Sequence, residues 1–295
     1  MSGEICALGC ALCWAMSSTL TKSLTGKFQP MNLNLLRCLA ASIFFWMIIP
    51  FYPGTKALTQ TPSTPLLYLI LSAVIGIAVG DTMYFRGLRL INVTLAFPIA
   101  QSAMPLMTLG AAVLFLGEPI TWSFALGTVL VLGGIYLIIT PQGKTRLLLR
   151  GRSLEKKGAS ISLILLAASL WAISISFLKV GLQQVNLILA NGIRLPIASL
   201  LMMILVLMQN PNRQLARPRF RHISLGAFGG LLAFGIGGIL FLWAIQTAGV
   251  GKAAVLTSSA PLFGLPLSVV YLKEEVTRKI ILGTVLVVSG IIFLV

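Results

Sequence analysis

Apolar and polar positions in this chain come in blocks, without the short alternation of a strand or the one-sided stripe of a soluble helix. Runs of about twenty apolar residues, the length that crosses a bilayer core as α-helix, fill nearly the whole sequence. The pattern predicts ten spans, at residues 5–24, 31–51, 66–88, 93–116, 120–140, 159–179, 187–208, 223–247, 253–272 and 280–295. A Pro/Thr-rich link at 52–65 and a loop rich in Asn, Pro and Arg at 209–222 interrupt the two halves, and a basic linker at 141–158 divides them. The first run has no basic stretch before Ile5 and no small-residue cleavage site, so it reads as a retained span and not as a signal peptide.

The blocks occur twice. Trp14, Ser17, Lys22, Asn34 and Arg37 return as Trp171, Ser174, Lys179, Asn191 and Arg194, each 157 residues later. Gly80 and Ala96 return as Gly237 and Ala253 at the same offset, with Tyr84 answered by Phe241. From Pro105 the offset is 156, matching Pro105, Glu118, Thr121, Gly127, Thr128 and Gly134 to Pro261, Glu274, Thr277, Gly283, Thr284 and Gly290. The expected units are therefore residues 1–140 and 159–295, joined by the linker 141–158. Five crossings end opposite to where they start, so the second unit enters the membrane upside down. The expected fold is an all-α membrane protein of ten transmembrane helices arranged as two inverted five-helix repeats, with a site near the midplane between them.

Composition agrees with lipid as the solvent. Hydrophobic residues make up 57% of the 295 and charged ones 9%, against about 25% charged in a soluble domain. The formal net charge of +16 would suggest nucleic acid in a soluble protein. Here the basic residues sit in short loops, where anionic headgroups and orientation account for them. Of the 22 Lys and Arg, seventeen fall in loops on one side, three on the other, and the remaining two are Arg37 and Arg194. The positive-inside rule then places both termini on one side, outside the cytoplasm. Cys6, Cys10 and Cys13 have a C-x3-C-x2-C spacing, but they lie within an apolar run and their repeat counterparts are Leu163, Ala167 and Leu170, so they read as buried thiols.

The early Trp14 and Trp171, the helix-opening Arg37 and Arg194, and Pro105 and Pro261 occur in the same order twice, and the first copy adds Gly117-Glu118 and the Gly127…Gly133-Gly134 pattern. In this the chain resembles the EamA-like members of the drug/metabolite transporter superfamily over essentially its full length. Lys273-Glu274-Glu275 departs from the Gly-Glu pair expected there. The resemblance implies a ten-helix carrier that exports or exchanges small metabolites around a central cavity. It also implies termini in the cytoplasm for many relatives, opposite to the charge count.

Several polar residues inside the spans are candidates for that cavity, each with a plainer alternative. Arg37 lies about 9 Å into its span at ~1.5 Å per residue. It either snorkels to headgroups or faces the cavity, held by Asn34, to attract a carboxylate; Arg194 with Asn191 would do the same in the other half. Asp81 is the one acidic residue deep in a span, with Gly238 as its counterpart. It is either a proton-coupling group, by the default reading of intramembrane carboxylates, or an ion-pair partner of Arg86 or of a basic residue on a neighbouring helix. Trp14, Trp171, Trp243 and Tyr84 belong either to the cavity or to an interfacial belt. Pro105 and Pro261, each preceded by polar residues (Gln101 and Ser102; Thr257, Ser258 and Ser259), predict bends beside the cavity. Glu118 and Glu274 read as partners of helix N-termini.

Other classes fit less well. An intramembrane enzyme needs a nucleophile–base pair or a metal cluster, and the chain has one His, no H-E-x-x-H and no Gly-x-Ser-x-Gly. No phosphate-binding Gly-x-x-x-x-Gly-Lys-Ser/Thr loop is present, so ATP is not the expected energy source. A channel does not need two matched polar half-sites. The expectation is a secondary transporter of small, amino-acid-like or other metabolites, exporting them across the plasma or inner membrane. It needs no metal or cofactor, does not bind nucleic acid, and is a monomer or homodimer. A flippase for a lipid-linked substrate is the alternative.

Overall fold

A computed structural model describes residues 2–51, 63–116, 122–139, 152–182, 185–208, 218–248, 253 and 256–294. Ten helices and no strand occur among them: α1 Ser2–Leu24, α2 Pro30–Ile48, α3 Ser63–Leu90, α4 Val93–Leu116, α5 Trp122–Ile139, α6 Arg152–Gly181, α7 Leu187–Leu207, α8 Phe220–Ala248, α9 Ala260–Leu272 and α10 Arg278–Leu294. Each predicted span has a helix. By length and composition six of these, α1, α2, α3, α6, α7 and α8, suffice to cross a membrane. The described apolar stretches of α4, α5 and α9 are shorter, at Val93–Met107, Ala125–Ile138 and Ala260–Leu272.

Local chemistry sets several helix ends. In α1, Glu4 in the first turn and Lys22 in the last complement the backbone dipole. Pro30 opens α2, where a missing N–H costs nothing. Asn186 caps α7, its Oδ1 accepting the amide of Leu189 at 2.9 Å. Lys273 ends α9 in the left-handed conformation, φ 54°. Helix α6 starts at Arg152, inside the stretch expected to be linker, because Arg, Glu and Lys are good helix formers that a hydropathy pattern cannot register.

Wide π-type turns interrupt the third helix of each half, at Ala73–Gly80 in α3 and Leu231–Ile236 in α8. Such turns leave backbone carbonyls in need of donors and are frequent at functional sites. Two proline expectations divide. Pro105, with Pro98, lies inside α4. Pro261 does not bend a helix: α9 begins only at Ala260, the chain turns at Ser258 and Ser259, and Pro261 occupies the first turn, where its missing N–H breaks no hydrogen bond.

Two buried clusters hold the bundle. One, around Phe85, Leu88, Ile99 and Ile164, extends to Val131, Ile138, Val287 and Ile291 of α5 and α10. The other, around Phe45, Leu69, Leu189 and Met202, joins α2, α3, α7 and α8. Helices α5 and α10 lie backbone to backbone: a Cβ on Gly134 would stand 2.6 Å from the Gly283 carbonyl oxygen, so only glycine permits that approach. Outward faces carry large apolar side chains such as Met47, Leu207, Val270 and Leu282, a surface suited to lipid and not to water. Trp122 and Phe220, at the starts of α5 and α8, are 82% and 83% exposed, as interfacial aromatics are.

Candidate functional site

The bundle surrounds a cavity of about 190 Å³ lined by α1, α2, α3, α4, α6, α7 and α8. Among the described residues, α5, α9 and α10 contribute nothing to it. Its walls are largely apolar, and its polar groups come from both halves. Trp14, Arg37, Asp81, Tyr84 and Gln101 of the first half and Trp171, Asn191 and Arg194 of the second all line it.

Three predicted candidates stand elsewhere. Asn34 is completely buried behind the cavity, where its amide donates to the Ile77 carbonyl at 2.7 Å and to Thr82 Oγ1 at 3.2 Å. Ile77 lies in the wide turn of α3, so Asn34 satisfies a carbonyl of that turn and does not hold Arg37. Trp243 is 47% exposed and outside the lining. Ser258 is buried in the turn before α9, also outside the lining. Glu118 lies outside the described residues.

The arginines are buried, with 5% of Arg37 and 8% of Arg194 exposed, so neither snorkels to headgroups. Arg37 Nη2 donates to Ser17 Oγ at 2.8 Å, and its guanidinium carbon lies 4.6 Å from the Phe85 ring centre and 5.1 Å from that of Phe234. Two rings at this distance favour the cation. Its Nε has no hydrogen-bond partner. Arg194 is better tied: Nε donates to Ser72 Oγ at 2.8 Å and Nη1 to Asn191 Oδ1 at 3.1 Å.

Asp81 accepts the indole N–H of Trp171 on Oδ1 at 2.8 Å. Both guanidiniums act on it electrostatically, whereas Arg86 is exposed and its nearest polar contact is the Met83 sulfur at 4.0 Å. Of the two kinds of partner expected for Asp81, the structure places it with basic residues on neighbouring helices and not with Arg86. Tyr84 shares a hydrogen bond with Ser18 at 2.8 Å, and its ring centre lies 5.3 Å from that of Trp171.

Ser17 and Ser174, repeated in the sequence but not among the expected cavity residues, also line the cavity. Ser17 Oγ donates to the Gly229 carbonyl at 2.7 Å, and Ser174 Oγ to the Ser72 carbonyl at 2.8 Å. Donors and acceptors are both related by the 157-residue offset, so the serine repeat was the available signal. Phe85 and Phe234, against Arg37, had no signal beyond hydrophobicity.

One end of the bundle carries a second charged cluster. Lys22 Nζ donates to the carbonyls of Leu88 at 2.8 Å and Ile91 at 2.7 Å, at the end of α3. Glu274, between α9 and α10, accepts the amides of Val93 and Thr94 at 3.0 Å each, at the start of α4. The α3–α4 turn is thus held by a cation on its free carbonyls and an anion on its free amides, the arrangement that helix termini favour. Glu274 serves the start of α4 and not that of the adjacent α10. Lys179, the repeat counterpart of Lys22, is exposed.

The family model of the EamA-like transporter family matches residues 1–140 and 158–295. A protein of Archaeoglobus fulgidus described as an uncharacterized transporter is 23% identical, over 98% of this chain and 96% of its own length. A crystal structure of a protein 16% identical superposes with a TM-score of 0.67, covering 99% of this chain and 96% of that one, which extends to the fold alone.

Proposed function

This chain belongs to the EamA-like transporter family, and from that premise we propose that it is a secondary transporter exporting small metabolites, carboxylates among them, by alternating access around the central cavity. The observation that carries the reading is the meeting of Arg37 and Asp81 with Arg194 and Trp171 on one cavity inside an otherwise apolar bundle. Ionisable groups within a membrane are costly and mark solute or ion pathways.

We read the architecture as two inverted five-helix repeats, 1–140 and 159–295. The reciprocal serine bonds, the wide turns in α3 and α8, and the approach of Ser42 Oγ to Ser199 Oγ at 3.5 Å, again 157 residues apart, support it. Each half's first helix is bonded to the other half's third helix, so a rocking motion would exchange one set of contacts for the other. In this conformation the Lys22–Glu274 end is the latched one. On the charge asymmetry of the loops, that end faces the cytoplasm and both termini face away from it, which reporters fused after Val295 and inserted near Arg150 would check.

Counterflow tests the function. Purified protein in vesicles, preloaded with an unlabelled mixture of amino and organic acids, should accumulate a labelled member of that mixture transiently and with saturation. Flux that rises linearly with concentration indicates a channel. Movement only of a fluorescent lipid indicates a flippase. Either result would refute the carrier.

A further inference from the structure

The cavity's ionisable groups are unequal in number and in how fully they are satisfied. Two guanidiniums, Arg37 and Arg194, face one carboxylate, Asp81, which leaves one formal positive charge in a largely apolar setting. A buried charge without a counter-charge is unfavourable, and no further acidic residue lines the cavity among the described residues. The shortage of hydrogen-bond partners falls on Arg37. Arg194 makes two hydrogen bonds. Arg37 makes one for its five N–H donors, with Nε unpartnered in a side chain 5% exposed. Thr21, which also lines the cavity, has a hydroxyl with no partner.

An ammonium group finds no comparable opening. Asp81 already accepts the Trp171 indole N–H and offsets both guanidiniums. A second cation beside it would restore the imbalance.

From these observations we infer that the cavity selects a small organic monoanion, a monocarboxylate with an apolar or aromatic body and no compensating ammonium group, whose carboxylate docks at Arg37. The body would lie against aromatic walls such as Trp14 with Phe241, ring centres 5.1 Å apart, and Tyr84 with Trp171. The Phe85 and Phe234 ring centres lie 4.6 and 5.1 Å from the Arg37 guanidinium carbon, and the unpartnered Nε offers a donor to a carboxylate. This inference rests on the carrier reading in one respect, that the cavity is the solute site.

The test uses four probes that share a benzyl group and differ in charge: 3-phenylpropanoate, phenylalanine, 2-phenylethylamine and benzylmalonate. Titration calorimetry on the purified full-length protein should show 3-phenylpropanoate binding at least about tenfold more tightly than phenylalanine, with 2-phenylethylamine weakest. Arg37→Gln should remove roughly tenfold or more of that affinity, and Arg37→Lys should restore part, because it keeps the charge without the planar fork. Asp81→Asn removes the one cavity carboxylate and should move the preference toward benzylmalonate, which keeps the inference testable even if Arg37→Gln fails to fold. Equal or tighter binding of phenylalanine or 2-phenylethylamine, an unchanged order in Asp81→Asn, or no binding of any probe would overturn it. Vesicle counterflow separates the two readings. A monoanion that binds but is not carried defeats the carrier and leaves the charge selection standing; carriage of phenylalanine but not of 3-phenylpropanoate does the reverse.

Discussion

The two Asn-x-x-Arg segments begin with the same residues and reach different ends. In the second, Asn191 turns its carbonyl to Arg194, and with Ser72 it fastens the guanidinium. In the first, Asn34 turns away to the Ile77 carbonyl and Thr82, and Arg37 keeps a single hydrogen bond, to Ser17. The tryptophans divide in the same way: Trp14 donates to a backbone carbonyl, of Ala233 at 3.2 Å, and Trp171 to the Asp81 carboxylate. Asp81 answers Gly238 in the repeat, so a single carboxylate breaks the equivalence. The repeated sequence thus carries two copies of the polar set, with one arginine held by two hydrogen bonds and the other by one.

The largest effect should come from the fastened arginine. Arg194→Ala leaves Ser72 and Asn191 without their donor and Asp81 with one guanidinium in place of two, and should lower unfolding stability in detergent by about 3 kcal/mol. Arg37→Ala should cost clearly less stability while reducing transport at least about tenfold. Unfolding curves and counterflow on the same preparations would read both, and the reverse pattern would exchange the two roles.

Next in size is Asn34→Ala, which strands the buried Ile77 carbonyl and should cost about 2 kcal/mol. Asn191→Ala should cost about 1 kcal/mol and alter solute affinity, since Asn191 lines the cavity. Equal costs with unchanged affinity would erase the difference between the halves.

Gly238→Asp restores the missing carboxylate. A Cβ at that position would lie 3.2 Å from Asn191 Nδ2, so the added group has a donor beside it. The variant should fold, and it should transport anionic solutes roughly tenfold less well. Unchanged anion transport would show that the cavity's charge balance does not select the solute.

The smallest effects belong to the latch. Lys22→Gln and Glu274→Gln should each weaken it by about 1 kcal/mol. Both should raise thiol labelling of a cysteine placed at Thr94, with little change in overall stability. Labelling unchanged in both variants would mean that the α3–α4 turn is held by packing alone.

What the sequence revealed follows from the same physics. Every helix was legible because lipid demands long apolar runs, and the meeting of Arg37 with Arg194 was suggested by polar residues repeated within those runs. The start of α6 at Arg152 was hidden, since helix can continue into polar residues without a change in hydropathy. The break at Ser258 was misplaced onto Pro261 because a proline at a helix start and one in a helix interior look alike in sequence. Where Asn34 points depends on the wide turn of α3, a departure in backbone geometry that the run Ala73–Gly80, apolar throughout, does not encode in its hydropathy.

Alternating access is tested most directly by a single cysteine at Gln101, on the cavity wall, in protein whose Cys6, Cys10, Cys13 and Cys38 have been replaced. Membrane-impermeant thiol reagents would be applied to right-side-out and inverted vesicles in turn. The account predicts that the same cysteine is labelled from either face, that 3-phenylpropanoate slows both reactions, and that locking the latch with a Lys22–Glu274 crosslink abolishes labelling from the latched face only. Labelling confined to one face under every condition, or from both faces with the latch crosslinked, would contradict it.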